Sequence, residues 1–191
     1  MIIFGGGLLE SEDSELATNF LTYINKGVPG LSAGNWQGLN ILPSGANQVG
    51  QMDLGVNTTP FIEPSVLFLF GADDYEVKAS DKSFVIYVGH HGDVNASKAD
   101  IILPGAAFTE KSAPYVNAEG RPQETRRVFL APDLAREDWK IIRALSEVMG
   151  GSFQLPYDNV EKLKERLYQV APSLCQMTFL FLAHLTPLIQ R

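Results

Sequence analysis

The stretch Ser65–Gly105, SVLFLFGADDYEVKASDKSFVIYVGHHGDVNASKADIILPG, holds three short apolar runs, and each one ends in glycine. They are Ser65–Gly71, Phe84–Gly89 and Asp100–Gly105. Within a run the apolar residues follow one another without alternating with polar ones, as in strands buried on both faces of a parallel sheet. The connections are short, and Val94–Ala99 suits a brief helix. Parallel strands with helical crossovers make an α/β layer of Rossmann-like type, mainly parallel with flanking helices.

Working outward, Met1–Phe4 is a further strand candidate, closed by Gly5-Gly6-Gly7. Glu12–Lys26 has the four-residue recurrence of an amphipathic helix in Leu16, Phe20 and Ile24, widened by Ala17 and Leu21. Acidic residues open it and Gly27 follows it, as the helix dipole and terminal chemistry favour. The segment AGNWQGLNILPSGANQVGQMDLGV is rich in Gly and Asn and reads as a long shaped loop with a short helix near Asn47–Met52. Beyond Gly105, Val128–Ala131 is a possible strand. Arg136–Met149 is a helix with Trp139, Ile142, Leu145 and Met149 on one face. Asp158–Val170 is another, opened by a capping box from Asp158 to Glu161.

The composition narrows the function classes. The chain has 191 residues, 45% of them hydrophobic and 19% charged, enough for one domain with a real core. A net charge of −7 gives no basic footprint for nucleic acid. The single cysteine, Cys175, leaves no internal disulfide, and no thiolate-ligated cluster or structural zinc held by these residues alone. The start at Met1 resembles a strand rather than a targeting presequence. The longest apolar run, Met177–Ile189, is broken by His184 and Pro187 and is short for a membrane span.

Three places invite chemistry. Gly5-Gly6-Gly7 begins a dinucleotide fingerprint, but Glu10 stands where the final glycine belongs, and a carboxylate there repels a pyrophosphate. The residues suit a tight strand-to-helix turn better. His90, His91 and Asp93 lie at a strand's carboxyl end, where α/β proteins place ligands. On extended backbone, however, adjacent histidines point to opposite faces. Glu110, Lys111, Asn117, Glu119 and Arg121 cluster after the third run. With no nucleophile beside a base, they read as an ion-pair network ordering a loop, with Arg121 tied to Glu110 or Glu119. Cys175, with no cation beside it, reads as inert.

The stretch Ala99–Gln123, ADIILPGAAFTEKSAPYVNAEGRPQ, is similar to the A-D-V-x-L-P-x-x-x-x-x-E-K-x-x-x-x-x-N-x-E-G-R-x-Q signature of the molybdopterin oxidoreductase superfamily. Ala99, Asp100, Leu103, Pro104, Glu110, Lys111, Asn117, Glu119, Gly120, Arg121 and Gln123 stand in its places. GANQVGQMDLGV resembles that family's glycine-rich loop. YVGHHGDVNASKADIILPGAAFTEKSAPYVNAEGR, LAREDWKIIRALSEVMGG and LPYDNVEKLKERLYQVAP resemble the branch found in the large iron–sulfur subunit of respiratory complex I.

That resemblance runs to about Ser173. It implies residues 1–173 as the carboxyl-terminal part of a molybdopterin-oxidoreductase-like domain, with 174–191 a divergent apolar tail. It also implies a scaffold role in the peripheral arm on the matrix side of the mitochondrial inner membrane, with no catalytic residue, cofactor or metal here, because the branch carries its clusters in a region this sequence lacks. The implied partners are other peripheral-arm subunits and whatever carries the missing amino-terminal half, with neither nucleic acid nor a membrane span. An isolated chain of this kind would expose apolar surface and a sheet edge. The alternatives are a fragment of a molybdenum- or tungsten-pterin oxidoreductase and a nucleotide-binding Rossmann module.

Overall fold

The structure is a computed structural model that describes residues 1–8, 11–34, 36–56, 63–73, 76–92 and 94–176. Glu10, Asp93 and the run Met177–Ile189, singled out above, lie outside the described residues. The chain divides into two compact units: Met1–Val56 with Tyr115–Gln123 and the residues from Ala171, and Asn57–Pro114 with Glu124–Val170.

The first unit opens as strand, turn, helix. Strand β1 (Ile2–Gly5) leads through a 3-10 turn at Gly6–Leu8 to helix α1 (Ser14–Gly27). Next come the short antiparallel pair β2 (Ser32–Ala33) and β3 (Trp36–Gln37), strand β4 (Leu39–Leu42) and helix α2 (Gln48–Asp53). β1 and β4 pair in parallel, from Ile2 opposite Leu39 to Gly5 opposite Leu42. α1 is their crossover, the connection a parallel pair needs.

The expectation of a long loop is corrected here. LNIL is a strand whose signal is interrupted by Asn40 and framed by Gly38 and Pro43. The sheet that begins at Met1 therefore has a partner strand, separate from the sheet of the three glycine-ended runs. On α1 the buried residues are Ala17 and Leu21, whereas Leu16 and Phe20 are exposed, so the burial stripe is rotated from the strict four-residue series.

The second unit is built on the opening stretch. Strands β5 (Val66–Phe70), β6 (Phe84–Gly89) and β7 (Ile101–Pro104) form a three-stranded parallel sheet in that order. α3 (Val94–Ser97) connects the last two. Asp100 fixes the entry to β7. Its backbone N–H donates to the Val85 carbonyl at 2.9 Å and its carboxylate accepts the Val85 N–H at 2.7 Å. Leu69, Val85, Tyr87 and Ala96 form the core, with Leu67, Ala72, Val77, Ala79 and Ala99 against it. Only β6 is largely buried; Val66, Phe70, Ile101 and Ile102 on its neighbours are exposed. Burial of all three strands is thus corrected, because β5 and β7 are the sheet's edges.

Strands β8 (Pro114–Val116) and β9 (Pro122–Glu124) pair with each other, and helices α4 (Asp138–Met149) and α5 (Val160–Val170) follow. Val128–Ala131 forms no strand. The expected face of α4 is corrected as well: Ser146 is its buried residue, and Ile142, Leu145 and Met149 are exposed. On α5 the cap falls one residue later than the pattern placed it. Asn159 Oδ1 accepts the Lys162 N–H at 2.9 Å, while Asp158 is drawn off by the side chains of Lys162 and Arg143. A 3-10 turn at Pro172–Gln176 carries the first unit past Ser173, with Leu174 buried and Cys175 exposed. No helix among the described residues is long and apolar enough to cross a membrane.

Candidate functional site

In the second unit a cleft of about 370 Å³ opens at the carboxyl ends of β6 and β7. Gly89 ends β6 and His90 and His91 follow it, Pro104 ends β7 and Gly105, Ala107 and Glu110 follow it, and Pro132–Ala135 come from the loop before α4. Carboxyl ends of parallel strands are where this fold class binds ligands. The third wall is pinned by backbone: the Arg136 N–H donates to the Pro104 carbonyl at 3.1 Å and the Ala106 N–H to the Arg136 carbonyl at 2.8 Å.

His90 and His91 sit in a bend beyond the strand, with ring centroids 4.7 Å apart and edge to face. The rule that neighbours on a strand point apart therefore does not apply to them. Beneath them the buried Tyr87 hydroxyl bonds the Asp73 carboxylate and lies 2.9 Å from the His91 carbonyl oxygen. Glu110 enters the cleft but is engaged locally. Its carboxylate accepts the Ala107 N–H at 2.9 Å and its own N–H donates to the Ala107 carbonyl at 2.9 Å.

The other loop candidates have separate duties. Lys111 pairs with Asp138 in the first turn of α4, Nζ to Oδ2 at 2.6 Å, rather than with Glu110. Asn117 builds a turn in the first unit, where its Oδ1 accepts the N–H groups of Glu119 at 3.0 Å and Arg121 at 2.9 Å. Its backbone closes the same turn, the Asn117 N–H donating to the Arg121 carbonyl at 3.1 Å and the Gly120 N–H to the Asn117 carbonyl at 3.0 Å. Gly120 supplies the left-handed residue, φ +78°, that the turn requires. Among the described residues Arg121 makes no ion pair with Glu110 or Glu119, so the tie expected of it is corrected: the turn uses its backbone, and its side chain is exposed. Asp138, the true partner of Lys111, was missed because it lies 27 residues away; its signal was an acidic residue in a helix's first turn.

A second, polar cleft of about 550 Å³ is lined by Ser112, Arg126, Arg127, Glu137, Trp139, Lys140 and Asp158–Glu161. Burial pushes the Glu137 carboxyl up. Hydrogen bonds from Lys140 and Trp139, with the charges of Lys140 and Arg127, outweigh that and hold it below the usual range. Lys140 Nζ also lies 5.4 Å from the Trp139 ring centroid. This is a satisfied ion-pair arrangement rather than an acid poised for proton transfer.

A pterin dinucleotide would need cations or free N–H groups for its phosphates. Among the described residues the strand-end cleft has no lysine or arginine, and part of its N–H groups are already engaged. Glu110 and Asp133 line it, and the N–H groups of Gly105, Ala107 and Ala135 are bonded to Gly89, Glu110 and Pro132. Among the described residues no three His, Cys, Asp or Glu side chains gather as metal ligands. The charge of this lining, two carboxylates and no lysine or arginine among the described residues, disfavours the phosphates of a pterin dinucleotide or of any other dinucleotide.

Comparison with known proteins comes down on the same domain type. A family model for molybdopterin oxidoreductase matches residues 1–148. The chain is 43% identical over 190 residues to the NADH-ubiquinone oxidoreductase 75 kDa subunit of Reclinomonas americana, covering 93% of this chain and 26% of the relative. With the mitochondrial 78 kDa subunit of Candida albicans identity is 46% over 179 residues, 91% of this chain and 24% of the relative. With the mitochondrial NADH dehydrogenase [ubiquinone] iron-sulfur protein 1 of Solanum tuberosum it is 40% over 181 residues, 93% and 24%. The chain thus spans about a quarter of the length of the curated relatives it matches.

Proposed function

Because the chain belongs to the molybdopterin oxidoreductase family, and its relatives at 40–46% identity are complex I 75 and 78 kDa subunits, we propose that it is a structural part of such a subunit. In this reading it supports NADH-to-ubiquinone electron transfer as a scaffold and holds no redox centre of its own. Its partners are the other complex I subunits of the peripheral arm. Its place is the matrix side of the mitochondrial inner membrane; the names of the Candida, Neurospora and Solanum relatives say mitochondrial.

The observation that carries the reading is identity of this order across more than nine-tenths of the chain, combined with a strand-end cleft lined by Glu110 and Asp133 and, among the described residues, by no lysine or arginine. In the same reading the signature residues are kept for shape. Lys111 anchors the start of α4, Glu110 closes a tight turn, and Asn117 and Gly120 form another. Fractionation of native membranes tests it. The chain should co-migrate with NADH:ubiquinone oxidoreductase activity on a native gel and bring no molybdenum. Migration apart from that activity, or stoichiometric molybdenum or tungsten, would replace the scaffold with an enzyme.

A further inference from the structure

The segment Val128–Ala131 has the sequence of a buried strand and the position of an exposed loop. Val128 is 69% exposed, Phe129 63% and Leu130 76%. The N–H groups of Val128 and Phe129 both reach the Thr109 carbonyl, at 2.8 and 3.2 Å, which sets the segment beside Phe108, itself 65% exposed. Four large apolar side chains so placed make a patch of the kind that marks a contact surface. Arg126 and Arg127 immediately precede it. Both are exposed and, among the described residues, neither lies within ion-pair distance of a carboxylate, although both line the cleft that holds Glu137 and the charge of Arg127 acts on that carboxylate; the chain as a whole carries −7.

We infer that Arg126–Leu130, with Phe108, is a docking surface for a segment of another protein subunit that presents carboxylates next to apolar side chains. Phe129 and Leu130 are the apolar anchors, and the two guanidiniums, planar donors suited to bidentate carboxylates, set orientation and partner choice. The inference deepens the scaffold reading, on which it rests for the partner being a subunit.

The test measures fluorescence anisotropy of a labelled 12-residue peptide of alternating Leu and Glu titrated with the full chain, beside a Leu–Lys peptide. Light scattering of the chain alone is read in parallel. Binding of the acidic peptide is expected to weaken with salt and to fall at least about tenfold, some 1.4 kcal/mol, in R126Q/R127Q and in F129S. K82E, an exposed lysine elsewhere on the unit, should not change it. Circular dichroism establishes that each variant is folded, and R126Q and R127Q singly replace the double variant if it is not. Equal binding of the Leu–Lys peptide, no binding, or self-association that buries the patch would each overturn the inference. Failure of the chain to co-migrate with complex I while the acidic peptide still binds would remove the scaffold reading instead.

Discussion

Replacing Asn117 with Ala removes two acceptor bonds at once, those to the N–H groups of Glu119 and Arg121. Both residues are exposed, so water takes over the freed donors and each bond contributes at the low end of the usual range, about 0.5–1 kcal/mol. The turn should therefore lose about 1–2 kcal/mol, and the amides of Glu119 and Arg121 should exchange about five- to thirtyfold faster. Amide exchange by NMR is the suitable assay, because a chain of two units need not unfold in one step. Asn117→Asp keeps an oxygen acceptor for both donors and should retain most of the protection. Arg121→Ala, which removes an exposed side chain without an ion pair, should change it by less than about 0.5 kcal/mol. If Arg121→Ala opens the turn as much as Asn117→Ala, the guanidinium does hold the loop and the backbone account is wrong.

Asn95 is buried, and its Oδ1 accepts the Val77 N–H at 2.9 Å while its Nδ2 donates to the Ala72 carbonyl. Asn95→Leu should lower the stability of the second unit by about 1–3 kcal/mol, read from denaturant melts, since two half-buried backbone groups lose partners. A Cβ on Gly50 would meet Asn47 Cγ at 3.1 Å and Val116 Cγ2 at 3.2 Å, so Gly50→Ala should displace the Asn47 bond to the Val116 N–H. A cost of about 1–3 kcal/mol and faster exchange at Val116 are expected, and an unchanged amide there contradicts it. Glu137, with an ordinary value of 4.5, and Asp158, at 3.8, are both held low in the folded chain. Their stabilisation is present above those values and is lost as pH falls through the lower folded ones. Thermal midpoints should hold from pH 7 to about 5 and drop below about 4, less steeply in salt. A midpoint unchanged at pH 3 would refute the pairing.

The three parallel strands were legible because continuous apolar runs ending in glycine carry their own signal. β4 was hidden because four residues interrupted by Asn40 look like loop, and only the register against β1 makes them a strand. Helices were legible as elements and less so in orientation. On α1 and α4 much of the apolar stripe is exposed, so periodicity alone did not say which residues are buried. Of the cleft, His90, His91 and Glu110 could be named from sequence. The wall Pro132–Ala135 could not, since a backbone bridge from Gly105 to Arg136 leaves no pattern in residue types. Glu110, Lys111 and Arg121 looked like one network because they lie close in sequence, yet Glu110 and Lys111 each have a partner set by the fold.

Native mass spectrometry of complex I purified from the source membranes tests the central claim most directly. The residues of this chain should be present in stoichiometric amount, and the polypeptide that carries them should bring no mass of molybdenum, tungsten or pterin. Their absence from the complex, or release with the added mass of molybdenum, tungsten or a pterin, would contradict the scaffold reading.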